Sequence, residues 1–217
     1  NGAGKSTLIK VLSGAYQADS GDILINGEKA TITNPRDARS YNIETIYQTL
    51  ALADNLNAAS NLFLGRELFK FRFGPFSWLD HKTMRDRTME ALKTTAVKIP
   101  NLSNTIRNMS GGQRQCVAIA RTATFSSKLI IMDEPTAALG VQETAQVENI
   151  IRNIKKNGEP LILISHNMRQ VFDLVDRIVV FRRGRIVANL NKHETNGEDV
   201  VSYITGAKTA KEYADAA

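Results

Sequence analysis

The sequence predicts an α/β domain with a mainly parallel sheet. Helical and strand patterns alternate along most of its 217 residues, an order typical of parallel strands joined by helices. Two short runs have the composition of buried strands: residues 43–47, IETIY, are a brief β-branched run, and residues 128–134, KLIIMDE, are a continuous apolar run that ends in two acids. Such runs indicate strands that are covered on both faces of a sheet.

The first part of the chain contains a helix, a hairpin and a strand. The helix covers residues 6–12 and is closed by Gly14, which suits the position just after a helix. Two short strands flank Asn26-Gly27, a dipeptide that strongly favours a hairpin turn. The β-branched run 43–47 then predicts a buried strand.

The last part alternates in the same way. Helical spacing of apolar residues predicts helices over residues 142–157, ended by Gly158, and from Met168 to Val175. The run LILIS between them predicts another buried strand, and a hairpin turning at Arg183-Gly184 follows.

The middle of the chain differs, because residues 52–124 show helical patterns and turn signals but no convincing buried strand. We therefore predict an inserted helical subdomain there, within a core formed by residues 1–51 and 125–206. Residues 207–217 lack the apolar density to pack and are predicted to be a flexible tail.

Composition argues against a membrane-spanning protein, a nucleic-acid-binding protein and a disulfide-stabilised protein. The chain is 42% hydrophobic and has no stretch near the roughly twenty apolar residues of a membrane helix. Its formal net charge is +6, but the basic residues are dispersed among acidic ones, which argues against a nucleic-acid partner. The single cysteine, Cys116, excludes an internal disulfide and is predicted to be a half-buried apolar residue on a helix.

The opening NGAGKST has the chemistry of a phosphate-binding loop. Gly2 and Gly4 allow backbone N–H groups to approach anionic oxygens, and the following helix directs its positive end at them. Lys5 would reach the β- and γ-phosphates, while Ser6 would coordinate Mg²⁺. A structural glycine-rich turn is the alternative for this motif taken alone.

Two acidic residues end the apolar run LIIMDE. Asp133 stands where a carboxylate can bind the same Mg²⁺, and Glu134 could act as the general base for the attacking water. The alternative is that two acids merely terminate a strand.

A third motif, MSGGQ, begins a strongly patterned helix about twenty residues before LIIMDE. In this order the motifs resemble the nucleotide-binding subunits of ATP-binding cassette (ABC) transporters, with Met109 for the usual leucine of the signature motif. Gln48 then matches the family's Q-loop and His166 its switch histidine. The resemblance implies a P-loop NTPase fold with a RecA-like core.

The resemblance also implies the site residues. Glu134, His166 and Lys5 would be catalytic, and Ser6, Gln48 and Asp133 would hold Mg²⁺. The ATP-binding residues would be Asn1, Gly2, Ala3, Gly4, Lys5, Ser6, Thr7, Gln48, Ser110, Gly111, Gly112 and Gln113.

Partners follow from the resemblance too. Two cassettes of this family pair head to tail, so that the signature helix of one faces the ATP held by the other, and a homodimer is expected here. Integral membrane permease subunits would be direct partners, and a periplasmic sugar-binding protein an indirect one. The expected location is peripheral, on the cytoplasmic side of the bacterial inner membrane.

The segments ASNLFLGRE and MDEPTAALGVQET resemble cassettes of simple-sugar importers of the ribose, xylose and fructose type. One departure is Gly140, which replaces the usual D-loop aspartate and puts contacts of that carboxylate in doubt. The predicted function is ATP hydrolysis that energises import of a fructose- or pentose-like monosaccharide. The alternatives are import of another small solute or a non-transport ABC ATPase.

Residues 69–80, FKFRFGPFSWLD, interleave aromatic and basic side chains. Such a segment can stack nucleobases or lie at a membrane surface. We predict instead that its aromatic residues pack the insertion against itself, with one edge of the segment as a candidate for docking a membrane subunit. His81 and His193 are predicted to be surface residues.

The resemblance places the first glycine of the phosphate loop before Asn1, so the chain is predicted to be truncated inside this motif. An adenine-stacking aromatic residue would be missing as well. The loss of stacking and of a hydrogen bond is expected to weaken ATP binding by roughly 100-fold to 10,000-fold.

Overall fold

A computed structural model describes residues 2–73, 76–94, 99, 101–125 and 127–208. Asn1 and most of the predicted tail, residues 209–217, lie outside the described residues. The chain divides into two compact units, one of residues 1–43 and 162–217 and the other of residues 44–161. The predicted division into core and insertion at residues 52 and 124 stays a prediction.

Helices and strands alternate as predicted. The helices are α1 (Lys5–Leu12), α2 (Pro35–Ser40), α3 (Ala58–Leu62), α4 (His81–Thr94), α5 (Gly111–Thr124), α6 (Val141–Lys156), α7 (Met168–Leu174) and α8 (Gly197–Thr205). The strands are β1 (Ile23–Ile25), β2 (Glu28–Ala30), β3 (Ile43–Ile46), β4 (Phe69–Phe73), β5 (Phe76–Leu79), β6 (Leu129–Asp133), β7 (Leu161–Ile164), β8 (Arg177–Arg182) and β9 (Arg185–Asn191).

The central sheet is parallel and has the order β3-β6-β7. Helix α6 supplies the crossover that parallel neighbours require. Strand β6 is the most deeply buried, with Ile130, Ile131 and Met132 fully covered. The prediction of a third buried strand is wrong for Ile162, which is 36% exposed, although Ile164 on the same strand is buried. An apolar run does not determine how much of a strand the neighbouring elements cover.

Both predicted hairpins are present. Strands β1 and β2 pair up to Ile25 and Glu28, and the intervening Asn26 and Gly27 have φ values of 54° and 84°. Left-handed values at both turn positions match the twist of the flanking strands. Arg183 and Gly184 join β8 to β9 in the same way, with φ values of 50° and 82°.

Helix α2 and helix α8 lie in segments for which the sequence indicated no element. Asn34 caps α2 through a reciprocal hydrogen-bonded box with Asp37, and Pro35 occupies the first helical position. Helix α8 packs on the last hairpin. The buried residues of this apolar cluster are Val171, Ile178, Val180, Val187, Ala188 and Val200.

Helices α3, α4 and α5 pack together in the unit of residues 44–161, and α5 also contacts α6. Helix α6 buries the predicted apolar positions Val147, Ile150, Ile151 and Ile154. The same unit contains the hairpin β4–β5, whose strands are exposed along almost their whole length. Because its strands are exposed, this hairpin lacks the sequence pattern of buried strands.

No helix among the described residues has both the length and the apolar character needed to cross a membrane.

Candidate functional site

The phosphate-loop segment leads directly into α1, which begins at Lys5. Gly2 and Gly4 adopt φ values of 77° and 96°, a region that disfavours residues with a side chain. A Cβ atom on Gly4 would also lie 3.0 Å from the Cα of Gly184, and the Gly184 amide donates a 2.9 Å hydrogen bond to the Ala3 carbonyl. The turn of the last hairpin therefore holds this loop in place.

The first turn of α1 is suited to an anion. Gly4 is the N-cap and offers no side chain to the amides of the helix, so their positive end is not neutralised by a capping side chain. Ser6 and Thr7 are exposed, and Lys5 is half-buried. The structure thus brings Gly2, Gly4 and the predicted phosphate ligands of α1 to one helix terminus.

Gln48 and Asp133 follow neighbouring strands. Asp133 is the last residue of β6, and Gln48 is exposed two residues beyond the end of β3. Because β3 and β6 are adjacent and parallel, their carboxyl ends lie at the same edge of the sheet. A carboxylate and an amide oxygen are ligands that Mg²⁺ accepts, so these two residues fit the predicted metal.

Glu134 has a backbone conformation that is uncommon for its residue type. Its φ is 51°, and its carbonyl accepts a 3.0 Å hydrogen bond from the Ala137 amide. A left-handed backbone outside glycine is costly and concentrates at functional sites. The side chain is half-buried at the strand end, which matches the location expected for a general base.

Ser110 caps α5 as the sequence predicts. Its hydroxyl accepts a 3.3 Å hydrogen bond from the Gln113 amide, while the Gln113 side chain accepts a 3.0 Å hydrogen bond from the Ser110 amide. This reciprocal box fixes the first turn of the signature helix. Ser110 and Gly111 are exposed, whereas Gly112 is buried.

Glu143, which sequence reasoning missed, bridges the starts of α5 and α6. Its carboxylate accepts hydrogen bonds from the Ser110 hydroxyl at 3.0 Å and from the Gly112 and Gly140 amides at 3.2 Å each. These bonds, led by that from Gly140, lower the pKa of the Glu143 carboxyl. The signature helix therefore already holds one anionic group.

Gly112 is required by this bridge. A Cβ atom at this position would lie 2.7 Å from the Cγ of Glu143 and 2.9 Å from its Cβ, closer than packed carbon atoms approach. The glycine at this point in the motif lets α6 approach the helix terminus. In the sequence, the bridge is indicated only by a glutamate three residues after Gly140. That spacing resembles an ordinary helix-capping pattern.

His166 is exposed in the turn between β7 and α7. The Ser165 hydroxyl donates a 2.9 Å hydrogen bond to the side chain of Gln170, and it accepts a 3.1 Å hydrogen bond from the Asn167 amide. Gln170 is fully buried. These neighbours hold the turn, and sequence reasoning did not identify them.

Each unit carries part of the predicted site. Lys5, Ser6 and His166 belong to one unit, and Gln48, Ser110, Asp133 and Glu134 belong to the other. Within the described residues, no group of three or more His, Cys, Asp or Glu side chains could hold a metal ion. The predicted Mg²⁺ ligands are a hydroxyl, an amide and a carboxylate, from Ser6, Gln48 and Asp133. Their joint arrangement stays a prediction.

Cys116 lies on α5, as predicted, but it is 5% exposed rather than half-buried. Burial, with the charge of Glu143 as a lesser cause, raises the pKa of the Cys116 thiol to about 11. The thiol is therefore a packing group and not a nucleophile.

A family model described as ABC transporter matches residues 1–137. The chain belongs to the ABC transporter family. As an ATP-binding cassette of this family it is a nucleotide-binding protein. The predicted fold class is confirmed.

The cassette is similar to two sugar-import proteins over nearly its whole length. It is 44% identical to the xylose/arabinose import ATP-binding protein XylG of Sulfolobus acidocaldarius, covering 97% of this chain and 82% of the relative. It is also 44% identical to the fructose import ATP-binding protein FrcA of Rhizobium meliloti, covering 96% and 81%.

A solved nucleotide-free ATP-binding cassette from an ABC transporter has the same fold. It superimposes with a TM-score of 0.76 at 25% identity, over 95% of this chain and 81% of the solved chain.

Proposed function

We propose that the cassette binds and hydrolyses ATP to energise the import of a simple sugar of the fructose or pentose type. The observation that carries this proposal is the 44% identity to two ATP-binding proteins of sugar import, which extends over nearly the whole chain. The presence of Lys5, Asp133 and Glu134 supports an active ATPase.

In the proposed reaction, the amides of residues 2–7 and the Lys5 ammonium bind the phosphates of ATP. Glu134 accepts a proton from a water molecule as the water oxygen forms a bond to the γ-phosphorus and the bond to the β-phosphate oxygen breaks, which releases ADP. His166 stabilises the charge on the γ-phosphoryl oxygens.

Ser6, Gln48 and Asp133 would hold Mg²⁺, whose positive charge offsets the charge on the phosphate oxygens when it is bound. For Gln48 and Asp133 this proposal is supported by their position, because Asp133 ends β6 and Gln48 follows the neighbouring strand β3.

We also propose that a second copy completes each ATP site. The exposed Ser110 and the amide of Gly112 would then face the γ-phosphate of ATP on the partner. These donors bond the Glu143 carboxylate in this structure, so the carboxylate must share or release them when a phosphate arrives. Permease subunits in the membrane would hold the dimer peripherally on the cytoplasmic side.

The Glu134→Gln variant tests the general base. It keeps the size of the side chain but cannot accept the proton, so we expect steady-state hydrolysis to fall by about 100-fold or more with ATP binding unchanged. The matched control is Glu28→Gln, at an exposed glutamate on β2, which should hydrolyse as the parent does. Unchanged turnover in the Glu134→Gln variant would refute the assignment.

Substrate choice requires the reconstituted transporter. ATP hydrolysis should rise when a binding protein loaded with fructose or a pentose is added, and remain basal when the binding protein is empty. Stimulation by none of the sugar-loaded binding proteins would exclude the proposed class of substrate.

A further inference from the structure

The hairpin β4–β5, called here the aromatic hairpin, presents four aromatic side chains on one face. Phe71 pairs with Trp78 and Phe73 with Phe76, and residues that are paired or two apart in a hairpin project to the same side. The exposed fractions of these four side chains are 61%, 73%, 72% and 75% in that order. The prediction that they pack the insertion against itself is therefore wrong.

Two of the rings contact each other. The rings of Phe71 and Phe73 are stacked with centroids 6.3 Å apart. Contiguous exposed apolar surface of this kind marks an interaction site, because leaving several aromatic rings in water is costly. Leu24 on β1 is also exposed, at 62%, but the residue paired with it is Lys29 rather than an aromatic residue.

The charged side chains of the hairpin itself are positive. Lys70 and Arg72 are exposed. Arg72 pairs with Ser77 and so projects to the face opposite the four aromatic rings, where its guanidinium lies 4.9 Å from the centre of the Phe69 ring. No acidic residue occurs in either strand. Residues 69–87 contain five Lys or Arg against two Asp, a net charge of +3, so an aromatic face and a positively charged segment occur together in this hairpin and the start of α4, and the charge of the segment favours an anionic surface.

We propose that the aromatic hairpin binds the surface of a membrane rich in anionic phospholipid. Aromatic rings, tryptophan above all, partition into the boundary between headgroups and acyl chains, and Lys and Arg pair with anionic headgroups. The ribbon is paired to no further strand among the described residues, so its outer backbone groups need water. Side chains alone would enter the boundary, and the backbone would remain hydrated.

Trp78 makes this surface directly observable, because it is the only tryptophan of the chain. Its fluorescence is measured with the chain in the absence of nucleotide and permease. The vesicles are either equimolar phosphatidylglycerol and phosphatidylcholine or phosphatidylcholine alone. We expect a shift to shorter wavelength with the anionic vesicles and a partition coefficient roughly 10- to 30-fold above that for the neutral ones, which salt reduces.

Two variants separate the contributions. The double variant Phe73→Ser, Phe76→Ser keeps the Trp78 probe. It should weaken partitioning by roughly 30-fold or more, because two rings that would enter the membrane are lost. Lys70→Gln with Arg72→Gln should remove most of the preference for anionic vesicles. Leu24→Ser, an exposed apolar residue of another hairpin, is the matched control and should bind as the parent does.

Three results would overturn the proposal. They are the absence of a spectral shift with either kind of vesicle, unchanged partitioning of the Phe73→Ser, Phe76→Ser variant, and an equal loss in the Leu24→Ser control. A Trp78 shift seen only with detergent-solubilised permease would assign the face to a protein partner and would also contradict it. Because neither ATP nor transport enters the vesicle measurement, its failure is distinct from failure of the proposed function.

Discussion

A buried ion pair links β3 to the segment that follows α3. Glu44, on β3, is hydrogen-bonded to Arg66, and the exposed fractions of their side chains are 6% and 25%. The Arg66 guanidinium also stacks over Phe125 at 4.2 Å from the ring centre, and Phe125 meets Phe63 edge to face. Glu44 lies four residues before Gln48, so the pair connects the strand that leads to the proposed metal ligand with the segment that follows α3.

Replacing Arg66 by Met should destabilise the protein strongly. The change leaves the carboxylate of Glu44 buried without its guanidinium, and breaking a buried pair costs about 3–5 kcal/mol. Because Arg66 retains some solvent exposure, we expect the lower end of that range, about 3 kcal/mol. With an m value of about 2–3 kcal/mol/M, the midpoint of urea unfolding should fall by about 1–1.5 M.

The double variant Glu44→Leu, Arg66→Met distinguishes a lost pair from lost packing. Replacing both charges with apolar groups removes the unpaired carboxylate, so much of the stability should return. The control is Lys29→Met, which breaks the exposed Lys29–Asp22 pair at 2.5 Å and should cost less than about 1 kcal/mol. Circular dichroism in urea measures all of these variants.

The reasoning would be refuted if Arg66→Met cost no more than Lys29→Met. It would also be refuted if the double variant were less stable than the single one.

Three further predictions concern the unit of residues 44–161. Asn61 is 1% exposed, and its side chain accepts a 2.7 Å hydrogen bond from the Ala53 amide and donates a 3.1 Å hydrogen bond to the Ala53 carbonyl. Asn61→Ala should therefore lower the free energy of unfolding by about 2–4 kcal/mol. A smaller loss than for Lys29→Met would contradict this. Cys116, with its pKa near 11, should react with a thiol reagent at pH 8 roughly 100-fold more slowly than an ordinary cysteine and faster as the pH rises; labelling as fast as in the urea-unfolded chain would disprove it. Glu143→Gln should speed that reaction, because the loss of the charge lowers the pKa of the thiol, and a rate equal to the parent's would count against the bridge.

Motif order and apolar spacing were sufficient to predict much of this fold. The i, i+3, i+4, i+7 spacing predicted α6 because its apolar residues pack on one side, and Asn26-Gly27 predicted a hairpin because both residues tolerate a left-handed backbone. Local chemistry determines features of this kind. The pairing of SGGQ with LIIMDE likewise pointed to the family that the comparison identifies.

The aromatic hairpin could not be predicted in the same way. Alternation of aromatic and basic residues is compatible with a packed strand or an exposed one, and only the surrounding structure decides whether a partner covers the rings. The exposure of Ile162 likewise depends on what packs against β7, which the apolar run LILIS does not encode.

The sequence alone therefore determined the chemistry of the proposed site: which residues can bind phosphate, donate an oxygen to a metal or accept a proton. Tertiary structure decided which groups meet across long separations, because backbone geometry brings them together from distant parts of the chain. Glu143 reaches the donors of Ser110 and Gly112 from a separate helix, and Arg66 reaches Glu44 across 22 positions. No local pattern encodes such contacts, since they depend on how helices and strands pack.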